Sequence, residues 1–161
     1  MTNSGSKDEL SAAKQLCLKY LTYRAYSKQE LYKKLCQKGI IPEIIEFTLE
    51  NLQNLKLIDD ENLAALLIKD RIQRGNMGRK RIMLDLLKRG IDKELAEKIL
   101  EREMVLSEDD SCHNLAQRKL KNYTGLPKLT IRRRLSAFLI RRGFDNELVY
   151  QTINNLLPPE N

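Results

Sequence analysis

Few side chains in this sequence are of the kinds that carry out covalent or metal chemistry. The chain has one histidine, His113, directly after Cys112. On a helix, residues at i and i+1 point about 100° apart and do not face a common substrate. No second cluster of ligand-type residues completes a site around the pair. Gly75-x-x-Gly78 is too sparse for a phosphate-cradling loop and reads as a helix stop followed by a helix start. Neither a dinucleotide fingerprint nor a nucleophile elbow is present. Catalysis is unsupported, and no metal or cofactor is expected.

What recurs instead is positive charge. Arg71 and Arg74 precede Arg79, Lys80 and Arg81, followed by Lys88 and Arg89, then Arg132, Arg133 and Arg134, then Arg141 and Arg142. The planar fork of arginine pairs bidentately with phosphate or carboxylate, which points to recognition of a polyanion or an acidic protein surface. Twenty-nine Lys and Arg against 22 Asp and Glu leave a net charge of +7, which attracts such partners without choosing among them. Cations in a last helical turn also complement the helix dipole, which is the plainer use of these residues. Tyr20, Tyr23 and Tyr26 are a thin basis for a base-stacking platform, and each serves equally as a core or interface ring. DNA binding resting on phosphates alone is predicted to be weak, insensitive to sequence and steeply salt-dependent.

The elements that position these cations are helices. The chain is 42% hydrophobic but 6% aromatic and lacks Trp, so its core is aliphatic and suits helix-on-helix packing. Within 57–100, Asp59 can cap a helix whose first turn carries Asp60 and Glu61, and Leu63, Ala64, Leu67, Ile68 and Ile72 recur at helical spacing. Arg74 and Gly75 close that helix. Ile82, Met83, Leu86 and Leu87 form the apolar face of a second, ending at Gly90, and Asp92 caps a third. Cys17, Cys36 and Cys112 are odd in number, lack C-x-x-C spacing and sit at apolar-periodic positions, as reduced core thiols of a cytoplasmic protein do. No apolar run approaches the roughly 18 residues of a membrane span.

The pattern repeats. Leu31, Leu35, Gly39, Ile40, Ile44 and Leu49 match Ile82, Leu86, Gly90, Ile91, Leu95 and Leu100 at a spacing of 51 residues. A further 53 residues lead to Leu135, Leu139, Gly143, Phe144, Leu148 and Ile153. Each copy is a helix, a basic residue with glycine, an apolar residue that plugs the helix pair, and another helix. The glycine supplies the left-handed conformation that ends a helix folding straight back, where a Cβ costs about 1 kcal/mol or more. Ser27 with Glu30 forms a capping box, and Pro42 suits a first helical position. Opening helices are predicted over Leu10 to Arg24, Asp60 to Arg74, and Ser107 to about Tyr123. The fold class is therefore all-α: a mobile tail over 1–8, then three-helix repeats over 9–56, 57–106 and 107–157 in an elongated, curved array. Stacked units would align the cations into a basic edge, with Arg132, Arg133 and Arg141 exposed on it.

The chain resembles the RecX family, bacterial regulators of the RecA recombinase. The likeness lies in Leu57-Ile58-Asp59-Asp60, in Leu63-Ala64-x-x-Leu67-Ile68 with Arg71, and in Arg74-Gly75-x-x-Gly78 leading through Ile82 and Leu86 to Gly90-Ile91. Arg24-x-x-Ser27-x-x-Glu30-Leu31-x-x-x-Leu35 is similar to the family's N-terminal signature, and Phe138-Leu139-x-x-Arg142-Gly143-Phe144 to its C-terminal one. Leu63 and Leu67 depart from it, standing where the family often has aromatics, and Leu66 adds an apolar residue to a face expected to be wet. The resemblance implies tandem three-helix repeats, no catalytic centre, and a monomer that binds RecA and RecA filaments on single-stranded DNA, restraining ATP hydrolysis and strand exchange in recombination and repair. A helix-turn-helix-like DNA-binding module and a helical protein adaptor are the alternative readings.

Overall fold

The computed structural model describes residues 3–104 and 108–158. Among them the helices are α1 (Asn3–Leu21), α2 (Lys28–Cys36), α3 (Pro42–Asn54), α4 (Asp60–Arg74), α5 (Arg79–Lys88), α6 (Lys93–Glu103), α7 (Glu108–Leu120), α8 (Lys128–Arg141) and α9 (Asn146–Leu156). No strand occurs among the described residues. The fold is all-α, an array of three tandem three-helix units. No helix is long and apolar enough to cross a membrane.

Local chemistry sets most helix ends. The Ser27 hydroxyl accepts from the Glu30 amide while the Glu30 carboxylate accepts from the Ser27 amide, completing the capping box. Asp59 accepts from the Asn62 amide, Asp92 from those of Glu94 and Leu95, and Pro42 opens α3. Gly39, Gly90 and Gly143 adopt φ of 78°, 74° and 89°. In each copy the following residue, Ile40, Ile91 or Phe144, donates its amide to a carbonyl five residues back, the paired bonding that closes a helix with a left-handed residue.

Two ends differ from expectation. α1 begins at Asn3, inside the stretch read as a mobile tail, and stops at Leu21 rather than Arg24. Ser107, read as the start of α7, lies outside the described residues; Glu108, Asp109 and Asp110 supply the negative first turn.

Each unit closes its own core, and the extensive helix–helix contacts all fall within one unit. The repeat-equivalent Leu31, Ile82 and Leu135 are buried, as are Leu35, Leu86 and Leu139. Ile58, expected in the second unit, packs into the first core, because the Lys56 turn folds it back under α3, where its amide reaches the Leu52 carbonyl. Cys17 and Cys112 are buried thiols, but Cys36 is exposed. Cys36 and Leu87 each follow a buried leucine by one residue, a rotation of about 100° that carries them off the core stripe. Ile72, in the last turn of α4, is likewise exposed, and Leu66 stands in solvent on the face expected to be wet.

Candidate functional site

The units join through the same device twice. The N-terminus of one unit's middle helix abuts the C-terminal glycine turn of the next unit's middle helix. At the first junction the Ser27 hydroxyl donates to the Arg89 carbonyl at 2.5 Å, and a Cβ on Gly90 would lie 2.6 Å from Gln29 Cβ. At the second, the amides of Gly78 and Lys80 donate to the carbonyls of Arg142 and Gly143 at 2.8 and 3.1 Å. Here both backbones are bare: a Cβ on Gly78 would lie 2.4 Å from the Phe144 amide nitrogen. Helices α8, α5 and α2 thus stack end to end, donor ends facing acceptor ends, so free amides and carbonyls of adjacent termini satisfy one another.

An acid on the opening helix reinforces each junction. Asp60, first in α4, accepts from the Lys28 amide at 2.9 Å, and Glu108, first in α7, accepts from the Arg79 amide at 2.7 Å. Burial pushes both carboxyls above their ordinary values, outweighing those bonds. Glu30 behaves oppositely. Burial alone would raise it, but hydrogen bonds from Arg24, the Ser27 amide and Arg89 prevail and hold the carboxyl below its usual range. A lowered carboxylate contributes stability that is full above the unfolded-state pKa, about 4.3, and is lost as pH falls through the lower folded value. The midpoint of thermal unfolding is therefore expected to fall less steeply in Glu30→Gln than in the wild type between about pH 5 and 3. Parallel slopes would remove Glu30 from the junction's charge network. Asp60 and Glu108 contribute in the opposite sense in both proteins, and the Glu30 charge is the smallest of the causes acting on Asp60.

The stacking decides the fate of each cation. Arg71 lies 2.8 Å from Asp70 and 3.4 Å from Asp85, and Arg74 pairs with Asp70 within α4. Arg89 bridges back to Glu30 and the Ala25 carbonyl, each at 2.9 Å. Lys80 reaches Asp145 across the second junction at 2.8 Å, Arg81 approaches Asp85 at 3.6 Å, and Arg79 approaches Glu101 at 3.9 Å. Arg142 lies over the Phe138 ring. Arg132 was expected on the exposed edge. Instead it is partly buried and donates to the Leu157 carbonyl and Asn154 Oδ1, closing the C-terminus of α9. Lys88, Arg133, Arg134 and Arg141 are exposed and have no partner among the described residues.

Two pairs of these cations correspond. Arg81 and Lys88 are seven residues apart on α5, and their equivalents 53 residues on, Arg134 and Arg141, are seven apart on α8. Seven residues are about two turns, so each pair shares one face of its helix. The second junction also sets Arg141 and Arg142 beside Arg79, Lys80 and Arg81. The α2 counterparts, Glu30 and Gln37, break the series, so the row belongs to the second and third units. Elsewhere, His113 sits 3.0 Å from the Gln117 amide nitrogen. Tyr20 and Tyr26 are in tilted contact, with Arg24 and Lys34 over their rings, whereas Tyr23 is exposed.

Sequence reasoning missed the junction residues. Gly78 read as an ordinary turn, although it stands 51 residues after Ser27, a buried cap; that equivalence was the available signal. Asp60 and Glu108 read only as first-turn acids.

These features define a class: an all-helical tandem array whose notable surface is a row of cations. Family models match all three units: the first three-helix domain of RecX over 13–52, the second over 59–100 and the third over 107–153. The Regulatory protein RecX of Chlorobium limicola is 32% identical over 94% of this chain and 91% of its own length. That of Prosthecochloris aestuarii is 32% identical over 98% and 99%. The crystal structure of RecX from Lactobacillus salivarius matches with a TM-score of 0.84 at 25% identity, covering 93% of this chain and 97% of its own. The chain belongs to the RecX family of regulatory proteins.

Proposed function

We propose that the chain binds the filament a RecA recombinase forms on single-stranded DNA and restrains its ATP hydrolysis, extension and strand exchange, modulating recombination and repair. It does so as a bound obstacle, without chemical change to DNA or protein. The observation that carries this reading is the row Arg81, Lys88, Arg134 and Arg141, displayed on corresponding faces of two stacked helices. A nucleoprotein filament offers phosphates and acidic side chains in one groove, and an array with a cationic face meets both. Alone, the chain binds DNA weakly and without sequence preference.

The test is the DNA-dependent ATPase and strand-exchange activity of the cognate RecA, with the chain added from substoichiometric to equal amounts. Both rates are expected to fall. Unchanged rates over a range of salt would overturn the proposal, and a footprint on one duplex persisting at high salt would favour a sequence-specific repressor instead.

A further inference from the structure

The third unit carries a surface that its siblings lack. Between α8 and α9 lies a cleft of about 670 Å³, bordered by Leu129, Arg133, Ile140 and Tyr150. Leu129, Ile140 and Tyr150 are 79%, 45% and 62% exposed, an apolar cluster with nothing packed on it.

The internal repeat supplies the comparison. The positions equivalent to Tyr150 hold Glu97 in the second unit and Glu46 in the first, both exposed. The positions equivalent to Leu129 hold Asn76 and Ala25. Leu129 also lies on a helical turn that only α8 has: α8 starts at Lys128, whereas the residue equivalent to the first of α5 is Arg132. The third unit has therefore lost an acid, gained a ring and lengthened the groove.

We infer that this groove docks an acidic amphipathic helix of a partner protein, its apolar side chains against Leu129, Ile140 and Tyr150 and a carboxylate against Arg133. Charge complementarity selects the occupant. Arg133 is exposed without a partner among the described residues, while the nearby acids are engaged, Asp145 by Lys80 and Glu147 by Gln151. Neutral Gln151 leaves the Glu147 charge in place, but Arg133 itself is unpaired among the described residues, so the groove presents a free guanidinium beside apolar surface. A cleft between two helices fits a third helix, whose side chains interdigitate with theirs. One ring, Tyr150, between two aliphatic side chains gives successive nucleic-acid bases no run of stacking planes, and a symmetric second copy would bring like charges together.

The experiment uses the full chain and a fluorescein-labelled synthetic 18-residue helix with Leu at i, i+3, i+4 and i+7 spacing and Glu elsewhere. Its control keeps the Leu positions and replaces each Glu with Lys. Anisotropy is expected to show saturable binding of the Glu helix and at least about tenfold weaker binding of the Lys helix. Amide shifts on binding fall on α8 and α9. Tyr150→Glu, which restores the residue of the sibling units, and Arg133→Glu each weaken the Glu helix about tenfold with an unchanged unfolding midpoint. Leu129→Gln repeats the test should either variant unfold.

Equal binding of both helices, shifts away from α8 and α9, or wild-type affinity in the folded variants would overturn the inference. So would self-association lost in Tyr150→Glu, which would make a second copy the occupant, or oligo-dT shifting the same amides where the Glu helix does not. The assay contains no recombinase, so its outcome is independent of the filament reading.

Discussion

Gly78→Ala is expected to be a severely damaging single-methyl change at the second junction, costing about 3 kcal/mol or more and loosening the third unit from the second. The reason is what the methyl would meet. Its Cβ would fall 2.4 Å from the Phe144 nitrogen and 2.5 Å from the carbon and oxygen of Gly143, all backbone atoms. A side chain can rotate away, but a turn held by the Gly78–Arg142 and Lys80–Gly143 hydrogen bonds cannot yield without breaking them. Gly39→Ala is the matched control. Gly39 has φ of 78° but nothing within 4 Å, so only left-handed strain of about 1 kcal/mol remains. Thermal unfolding with limited proteolysis of the segment joining α6 to α7 would report both effects. A wild-type midpoint and cleavage rate in Gly78→Ala would refute the close stacking of α8 on α5.

Reversing Lys88, Arg134 and Arg141 together to Glu is expected to abolish most filament inhibition while leaving the helices intact. All three are exposed without partners among the described residues, so each change should alter stability by no more than about 0.5 kcal/mol. Within a Debye length of about 8 Å, three attractions become repulsions, and affinity is expected to drop about a hundredfold or more at physiological salt. Arg132 is kept out of the set, because its loss would release the C-terminus of α9 and mix instability with lost contacts. Circular dichroism and the unfolding midpoint verify the fold, and inhibition of RecA strand exchange measures the effect. A folded triple variant that inhibits like the wild type would show that the cationic row is not the binding surface. Sparing Arg133 keeps this outcome separate from the groove between α8 and α9.

What the sequence determined by itself was whatever acts within a few residues. Ser27 and Glu30 cap one another across three positions, Asp59 and Asp92 cap the first turns after them, and Gly39, Gly90 and Gly143 stand where a helix must turn left-handed. Because those choices recur at near-constant spacing, the unit and its aliphatic core were legible from the pattern of Leu and Ile alone. The tertiary structure decided the rest, since junction chemistry links residues far apart in the chain. Nothing near Lys80 indicates Asp145, nothing near Arg132 indicates Leu157, and nothing near Gly78 indicates the Gly143 backbone. The twelve clustered cations looked alike in sequence because charge is a property of the residue. Whether a cation faces a partner or solvent depends on what the fold brings to within a few ångströms of it, and that separates Lys88, Arg133 and Arg141 from Arg89 and Arg132.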